Sequence, residues 1–256
     1  MIDLTIDENI AEVVLNDPQK LNALDEGALV ALDAAFTEAA EGGVRALLLR
    51  GEGRAFCAGR DIAEVDPSTD DVNAYLSGLV APLMKKMSDF PAPTFAVAHG
   101  ACLGVGLGLL IATDVVYVAS NAKIGSPFAA LGASLDSGGH ALFYNRLGAH
   151  RTLDLIYSGR LMTGEEAVAA GLFSQVFPAD EVLEATRAAA HAAASGATQA
   201  FVASKRIVQK LRGDRLGLWQ SMALEAQAQK ALRDTDDYRE GFAAFQQKRE
   251  AKFTGR

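Results

Sequence analysis

The stretch 99–114, HGACLGVGLGLLIATD, decides the fold class. Its glycines Gly100, Gly104 and Gly108 have the spacing seen between packed transmembrane helices, and residues 95–113 carry no formal charge, which is long enough to span a bilayer. However, the flanks SDFPAPT and ATDVVYVAS lack basic anchors. The predicted secondary structure also changes along this region. TFAVA predicts a strand, HGACLG predicts a break, VGLGLLIA predicts a short helix and VVYVA predicts another strand. We therefore favour a buried strand–turn–helix–strand unit over a membrane span.

The bulk composition is that of a globular chain with a sizeable core. It has 256 residues, 50% of them apolar, and a formal net charge of −8. This charge argues against a nucleic-acid groove, which needs clustered Lys and Arg. Cys57 and Cys102 are too few for a disulfide framework and predict free thiols in a reducing, cytoplasmic compartment. We find no Cys/His cluster with metal-ligand spacing, and the N-terminus lacks the basic start and apolar core of a signal peptide.

The order of predicted elements separates two regions. Hydrophobic periodicity predicts a hairpin turning at Glu8-Asn9, a helix capped by Asp25 and a further helix over 72–88. From about residue 180 the chain reads as helices alone. We predict an α/β core over residues 1–195 and a C-terminal helical region over residues 196–256.

Two glycine-punctuated loops, AFCAGRD at 55–61 and GACLGVG at 100–106, each follow a predicted strand. If the second loop opens a helix near Gly104, the first N–H groups of that helix lack intrahelical partners and favour a negative oxygen. Two such amides, one from each loop, would form an oxyanion hole in which each donor lowers a barrier by about 2.7–4 kcal/mol. The alternative is that these glycines only allow a helix and a strand to pack closely, and the spacing alone does not separate the two interpretations.

Several motifs together resemble the crotonase (enoyl-CoA hydratase/isomerase) superfamily over nearly the whole chain: FCAGRDI, HGACLGVGLGL…TD, AKIG…LG…DSGG, LGAHRTLDLIYSGRLMTGEEAVAAGL and DYREGFAAFQQKREAKFTG. The resemblance implies an α/β fold, a spiral of ββα units, with a C-terminal helical region used in oligomerisation. It also implies acyl-CoA thioester substrates and assembly as a trimer or a dimer of trimers. No cofactor is implied beyond the CoA of the substrate, and neither nucleic acid nor membrane is an expected partner.

By motif position, the resemblance places the two enolate-binding amides on Arg60 and Val105. Val105 departs from the Gly or Ala usual at that position, and its isopropyl group is expected to narrow the pocket. The hydratases of this superfamily position water with two glutamates, which would fall at Gly108 and Phe128. Neither residue ionises, which argues against a typical hydratase.

The remaining candidate acid is Asp136, in GASLDSGGH. Its position matches the acid of superfamily isomerases, and LDSGG with the C-terminal motif looks most like the 1,2-epoxyphenylacetyl-CoA and Δ3,Δ2-enoyl-CoA isomerases. A carboxylate can move a proton between two carbons of an enolisable thioester, and apolar neighbours would raise its pKa. The alternative role for Asp136 is an N-cap of the following helix. We predict an isomerase; the alternatives are a hydratase or lyase that uses Asp136 with water, and a non-catalytic acyl-CoA-binding subunit.

The resemblance further implies a set of substrate- and CoA-binding positions. Among them, Phe253 is expected to complete a site, either in its own chain or in a neighbouring subunit, and a solvated surface charge is the alternative for Lys20. His99 reads as structural, and His140 could share a helical face with the acid four residues before it. Ser126 and Ser137 have no adjacent base, which argues against a serine hydrolase. The positions are Lys20, Leu21, Ala58, Asp61, Ile62, Gly104, Phe128, Leu131 and Phe253.

Overall fold

The computed structural model describes residues 1–63 and 65–256. The strands are β1 (Ile2–Asp7), β2 (Ile10–Leu15), β3 (Ala46–Gly51), β4 (Thr94–Ala98), β5 (Ala101–Leu103), β6 (Val115–Ala119), β7 (Lys123–Gly125), β8 (Met162–Thr163) and β9 (Gln175–Phe177). The helices are α1 (Glu26–Glu41), α2 (Ala81–Ser88), α3 (Val105–Ile111), α4 (Gly139–Ser158), α5 (Gly164–Ala169), α6 (Val182–Ala194), α7 (Thr198–Asp214), α8 (Leu218–Leu232) and α9 (Asp236–Gln247).

The main sheet has the strand order β1-β2-β3-β4-β6-β9. Only its first pair, β1 and β2, is antiparallel among the described strands of this sheet, and β2 to β9 all run parallel. The hairpin turns at Glu8 and Asn9, whose φ values of 43° and 69° give the left-handed turn that suits the twist of a hairpin. The central strands β3 and β4 are buried almost throughout, as expected for a parallel sheet covered on both faces.

A second, smaller layer has the order β5-β7-β8. Two parallel bridges extend this layer: Cys57 pairs with Cys102, and Leu24 pairs with Arg60. Each successive turn of the chain therefore places one strand in the main sheet, one short extended segment in the second layer, and then a helix. This arrangement confirms the expected spiral of ββα units.

The stretch 99–114 folds as one such turn and not as a membrane span. It contains β5 and the seven-residue helix α3, and β6 follows directly. Within residues 1–63 and 65–256, no helix combines the length and the apolar character needed to cross a bilayer. The segment HGACLG, predicted as a break, contains a strand because Ala101–Leu103 pairs in parallel with β7 in the second layer.

The two predicted helices form, and the first has the cap that the sequence predicts. Asp25 accepts a hydrogen bond from Ala28 N–H at 2.7 Å and so caps α1. The helix predicted over 72–88 consists of a wider π-helical turn, Ala74–Val80, that continues into α2. The residue that caps α4 is Gly138, so the alternative role of Asp136 as an N-cap is not observed.

The C-terminal helices cover the end of the main sheet at which the parallel strands begin. Arg45, which directly precedes β3, donates hydrogen bonds to Thr198 Oγ1 and to the carbonyl oxygen of Phe253, each at 3.1 Å. Lys205 of α7 forms an ion pair of 2.9 Å with Asp114, which directly precedes β6. The chain passes from α6, which packs on β3, β4 and β6, into α7 between residues 195 and 197.

Candidate active site

The backbone N–H group of Arg60 points away from Leu24, the residue with which Arg60 pairs. Leu24 N–H donates to Gly59 O at 2.8 Å, and Asp61 N–H donates to Leu24 O at 2.9 Å. In a parallel pairing of this register the N–H of the intervening residue, Arg60, points to the opposite side. On that side lies β5, which is already paired with Cys57 and turns away after Leu103. The N–H of Arg60 is therefore left open at this edge.

The second candidate amide belongs to Val105, the first residue of α3. The first intrahelical bond of α3 runs from Gly108 N–H to Gly104 O at 3.1 Å, so the N–H of Val105 has no intrahelical acceptor. The side chain of Val105 is 2% exposed and lies in the core. Core packing thus accommodates the isopropyl group at a position where the resemblance implies Gly or Ala.

The two loops that carry these amides are in direct contact. A Cβ atom placed on Gly59 would lie 2.9 Å from Leu103 O and 3.7 Å from Gly104 Cα. Gly59 and Gly104 have φ values of 102° and 53°, a backbone region that favours glycine. The glycines therefore permit both the sharp turns and the close approach that bring the Arg60 and Val105 loops together.

The two positions at which the resemblance would place the glutamates of a hydratase, Gly108 and Phe128, carry no ionisable side chain. A Cβ atom on Gly108 would lie 2.7 Å from Ser137 Cβ and 3.0 Å from Ser137 O, so the loop at residues 136–138 occupies that space. The ring of Phe128 lies against the other loop, with its Cζ 3.1 Å from a Cβ placed on Gly104. Neither position offers a carboxylate, and the first has no room for one.

Asp136 enters the site from the loop that lies on α3. Its Oδ1 is buried and has no hydrogen-bond partner among the described residues. Burial raises the pKa of the Asp136 carboxyl above its ordinary value, and this effect exceeds the opposing influence of the Ser137 hydroxyl, the Arg60 guanidinium and His140. A half-buried carboxylate with a raised pKa is a better proton acceptor than one in water.

The side chain of Arg60 is held firmly beside this carboxyl. It forms a two-pronged ion pair with Asp70, at 2.8 and 2.6 Å, and its guanidinium carbon lies 4.0 Å from the centre of the Tyr75 ring. Tyr75 is 1% exposed and donates a hydrogen bond from its hydroxyl to Leu24 O at 3.1 Å. Sequence reasoning missed Asp70 and Tyr75, because only the folded chain brings Asp70 and the π-helical turn next to Arg60.

The predicted CoA-binding residues near the first loop do lie together. Lys20 forms an ion pair of 2.8 Å with Asp61, Ala58 N–H donates to Leu21 O at 2.9 Å, and Ile62 is 49% exposed. A cavity of about 260 Å³ lies beside them, and most of its polar lining is acidic. The acidic side chains of this cavity would repel the phosphates of CoA, and Lys20 is already ion-paired with the carboxylate of Asp61. Their role in CoA binding stays a prediction.

Other predicted residues are placed apart from the amides. Phe253 lies near Gly241 of α9, beside Arg45 and the start of β3. The amides follow the opposite ends of β3 and β4, and a six-residue strand is about 20 Å long. Phe253 is therefore not brought to the site of its own chain, so only the neighbouring-subunit alternative remains for it. Leu131, at 60% exposed, lies on the surface of the 126–138 segment.

His99, the two cysteines and Asp114 behave as structural residues. His99 Nε2 lies 3.1 Å from Gly53 O, and burial lowers the pKa of its imidazole. Both cysteines are free and buried, and burial raises the pKa of the Cys57 thiol to about 12. Asp114 accepts hydrogen bonds from the N–H and the hydroxyl of Thr94 at 2.9 and 3.0 Å. Among the described residues, we find no group of His, Cys, Asp or Glu side chains arranged to hold a metal ion.

Comparison with known proteins shows the family of the chain. A family model described as "Enoyl-CoA hydratase/isomerase" matches residues 5–256. A Bacillus subtilis protein named as an enoyl-CoA hydratase/isomerase is 34% identical over 245 residues, which cover 95% of each chain. The 2,3-dehydroadipyl-CoA hydratase of Escherichia coli is 31% identical over 253 residues, 97% of this chain and 96% of that protein.

Solved structures give the same result for the fold. A crystal structure from Mycobacterium abscessus, titled as an enoyl-CoA hydratase/isomerase, superposes with a TM-score of 0.92 at 27% identity and covers 100% of both chains. An enoyl-CoA hydratase subunit from Geobacillus kaustophilus gives a TM-score of 0.89 at 29% identity, covering 100% of this chain and 98% of that one.

Proposed function

Because the chain belongs to the enoyl-CoA hydratase/isomerase family, we propose that it is an isomerase that shifts a double bond, or rearranges a ring, in an enolisable acyl-CoA. The amides of Arg60 and Val105 hold the thioester oxygen as negative charge develops on it. Asp136 removes a proton from one carbon and returns it to another. The proton moves between two carbons of the same substrate, so this reaction exchanges no electrons with a redox cofactor, and CoA enters only as part of the substrate.

This proposal rests on which carboxylate the site contains: the two positions expected to carry glutamates have none, and Asp136 is present instead. The space next to Gly108 is occupied by Ser137, and Phe128 stands at the other acid position, while Asp136 of the adjoining loop supplies a carboxylate whose Oδ1 is buried. A single carboxylate suits proton shuttling within one substrate. Addition of water by the usual pair of glutamates is not supported at these positions.

Hydration is the second candidate, because several relatives carry the name hydratase, including those from Rhodobacter capsulatus and Escherichia coli. In that case Asp136 would activate a water molecule that adds to the double bond of a 2-enoyl-CoA. The amides of Arg60 and Val105 would play the same role in both reactions, because both pass through negative charge on the thioester oxygen.

A spectroscopic assay separates the two candidates, because a conjugated thioester absorbs where an unconjugated one does not. We expect the absorbance to rise with a 3-enoyl-CoA and to stay constant with crotonyl-CoA. Loss of absorbance with crotonyl-CoA would support the hydratase instead. Asp136→Asn is expected to abolish the rise while ligand affinity is retained. Asp154→Asn, a change at an exposed aspartate of α4, is the matched control and should keep full activity.

We further propose that the chains assemble as a trimer or a dimer of trimers. Exposed aromatic side chains on the helices support this, since Trp219 and Phe245 are 76% and 84% exposed and Tyr157 of α4 is 75% exposed. Such side chains are enriched at interfaces between proteins. Light scattering during size-exclusion chromatography would test it, and a monomer at micromolar concentration would contradict it. The cytoplasmic location predicted from the free thiols stays a prediction.

A further inference from the structure

The direction of the Arg60 N–H group is set by a hydrogen bond to the residue before it. A trans peptide group is planar, so its C=O and N–H bonds point in opposite directions. The peptide group that carries Arg60 N–H also carries Gly59 O, which accepts the 2.8 Å hydrogen bond from Leu24 N–H. Gly59 has a φ of 102°, and glycine adopts many backbone conformations. The contact with Leu24 therefore selects the conformation in which Arg60 N–H points away from Leu24.

Leu24 is in turn held by Tyr75. The carbonyl oxygen of Leu24 accepts two hydrogen bonds, from Asp61 N–H at 2.9 Å and from the Tyr75 hydroxyl at 3.1 Å. The first bond comes from the loop of Arg60 itself, whereas the second anchors Leu24 to a separate segment of the chain. Without the Tyr75 hydroxyl, Leu24 and the 59–61 segment would be free to shift together.

The ring of Tyr75 supports Arg60 through its side chain as well. The Arg60 guanidinium carbon lies 4.0 Å from the centre of that ring, a distance at which the cation is attracted to the ring face. One side chain thus holds Arg60 at two points. Its ring contacts the guanidinium, and its hydroxyl fixes the Leu24 backbone with which Arg60 pairs.

An unusual helical turn places Tyr75 beneath Arg60. Residues Ala74–Val80 form a π-helical turn, and Ala81 N–H donates to Leu76 O, five residues earlier. Tyr75 and Val80 are both buried, although five residues of an α-helix would place them about 140° apart around the axis. A turn closed by bonds between residues five apart puts them on one face instead. Such turns are rare and occur frequently at functional sites, which agrees with a role for Tyr75 beyond packing.

We propose that Tyr75 is a positioning residue, which acts through Leu24 and the Arg60 side chain to hold Arg60 N–H in the direction that binds the thioester oxygen. This inference rests on the role of the Arg60 amide in the proposed function. The hydrogen bond from that amide strengthens as negative charge develops on the oxygen, so its alignment affects the transition state more than substrate binding. Loss of the Tyr75 hydroxyl should therefore lower kcat and leave KM nearly unchanged.

Tyr75→Phe in the full chain tests the proposal, because phenylalanine removes the hydroxyl and keeps the ring that packs against Arg60. Removal of a whole oxyanion donor lowers kcat about 100- to 1,000-fold, so we expect a misaligned donor to lower it about five- to tenfold with a 3-enoyl-CoA. Tyr117→Phe is the matched control, because it also removes one hydroxyl hydrogen bond, the 3.4 Å contact with Gln175 in the main sheet. The control should keep the wild-type kcat.

A second measurement reports the polarisation of the thioester without turnover. The probe is para-dimethylaminocinnamoyl-CoA, whose absorption moves to longer wavelength when electron density is drawn onto its carbonyl oxygen. The wild type and Tyr117→Phe should give the same shift on binding the probe, and Tyr75→Phe should give a smaller one. A merely structural role for Tyr75 would lower the melting temperature and leave both kcat and the absorption shift unchanged.

Wild-type kcat together with a wild-type absorption shift in Tyr75→Phe would overturn the inference. This result is distinguishable from failure of the proposed function. If the wild type binds the probe without any shift, the amides do not polarise the thioester, and the proposed function and the inference both fail. If the wild type hydrates crotonyl-CoA and does not isomerise a 3-enoyl-CoA, the proposed reaction fails, while the absorption shift still tests the role of Tyr75.

Discussion

Replacing Gly108 with alanine should misplace the acid of the site without touching it. The new Cβ atom would lie 2.7 Å from Ser137 Cβ and 3.0 Å from the backbone oxygen of Ser137, whereas ordinary contacts begin at 3.4 Å. The shortfall is about 0.7 Å, and part of it is against backbone, which cannot rotate out of the way as a side chain can. The loop must therefore move off α3 and carry Asp136 with it.

The expected magnitudes follow from this displacement. A misplacement of about 1 Å at a reacting group can lower a rate about 100-fold, so we expect kcat to fall at least tenfold. Overpacking of this kind costs about 1–3 kcal/mol, and alanine returns about 1 kcal/mol relative to glycine in a helix. The net loss of up to about 2 kcal/mol should lower the melting temperature by up to about 8 °C in a chain of this size.

Gly213→Ala is the matched control, because Gly213 also lies in a helix, α7, and no atom lies within 4 Å of a Cβ placed there. The measurements are steady-state kinetics with a 3-enoyl-CoA and scanning calorimetry of both variants. Gly213→Ala should keep its activity and melt at the same or a higher temperature. If Gly108→Ala behaves in the same way, Ser137 is not held on α3 as described, and the positioning of Asp136 by this contact is refuted.

Three further changes have defined outcomes. Asp136→Asn should raise the melting temperature at pH 7, because the raised pKa of Asp136 means that its ionised form opposes folding. Calorimetry should show the difference shrink as the pH falls through the raised pKa and vanish below the ordinary pKa of an aspartate, where the carboxyl is protonated in both the folded and the unfolded chain. Arg60→Met removes a positive charge that lowers the pKa of Asp136, so the acid limb of the kcat/KM profile should move to higher pH, whereas Arg233→Met, at an exposed ion pair, should leave the limb unmoved. Thr163→Ala removes the capping box of α5 and should cost about 0.5–2 kcal/mol in denaturant unfolding with unchanged kcat.

Much of the fold could be predicted from residue patterns within short stretches of the sequence. The alternation of apolar residues gave the hairpin at Glu8-Asn9, and the Asp25 cap fixed the start of α1, as observed. In each case the signal lies within a few residues of the feature that it predicts. The strand at Ala101–Leu103 was missed, because three residues carry no periodicity and the segment is extended only through its pairing with β7.

The candidate site was predictable to a smaller extent. The motifs located the two loops and Asp136 and led us to expect the loops to come together, but they did not indicate that the contact is between Gly59 and Gly104. Ser137 was read only as a serine without an adjacent base, since its backbone angle and its contact with Gly108 depend on how two distant segments pack. Contacts between segments far apart in sequence leave no local pattern.

The two amides and the acid of the site come from different parts of the chain. For this reason the fold of the chain is easier to assign than its reaction. The two amides follow from the ββα topology itself, because they come from consecutive turns that leave the ends of β3 and β4. The acid comes from the 126–138 segment, whose only regular element among the described residues is the short turn Phe128–Leu131. Substitutions there can change which carboxylate faces the thioester while the amides stay in place. We therefore expect the reaction of this chain to depend on Phe128 and Asp136, and on Gly108 beneath the loop of Asp136, so mutations at these positions should separate an isomerase from a hydratase.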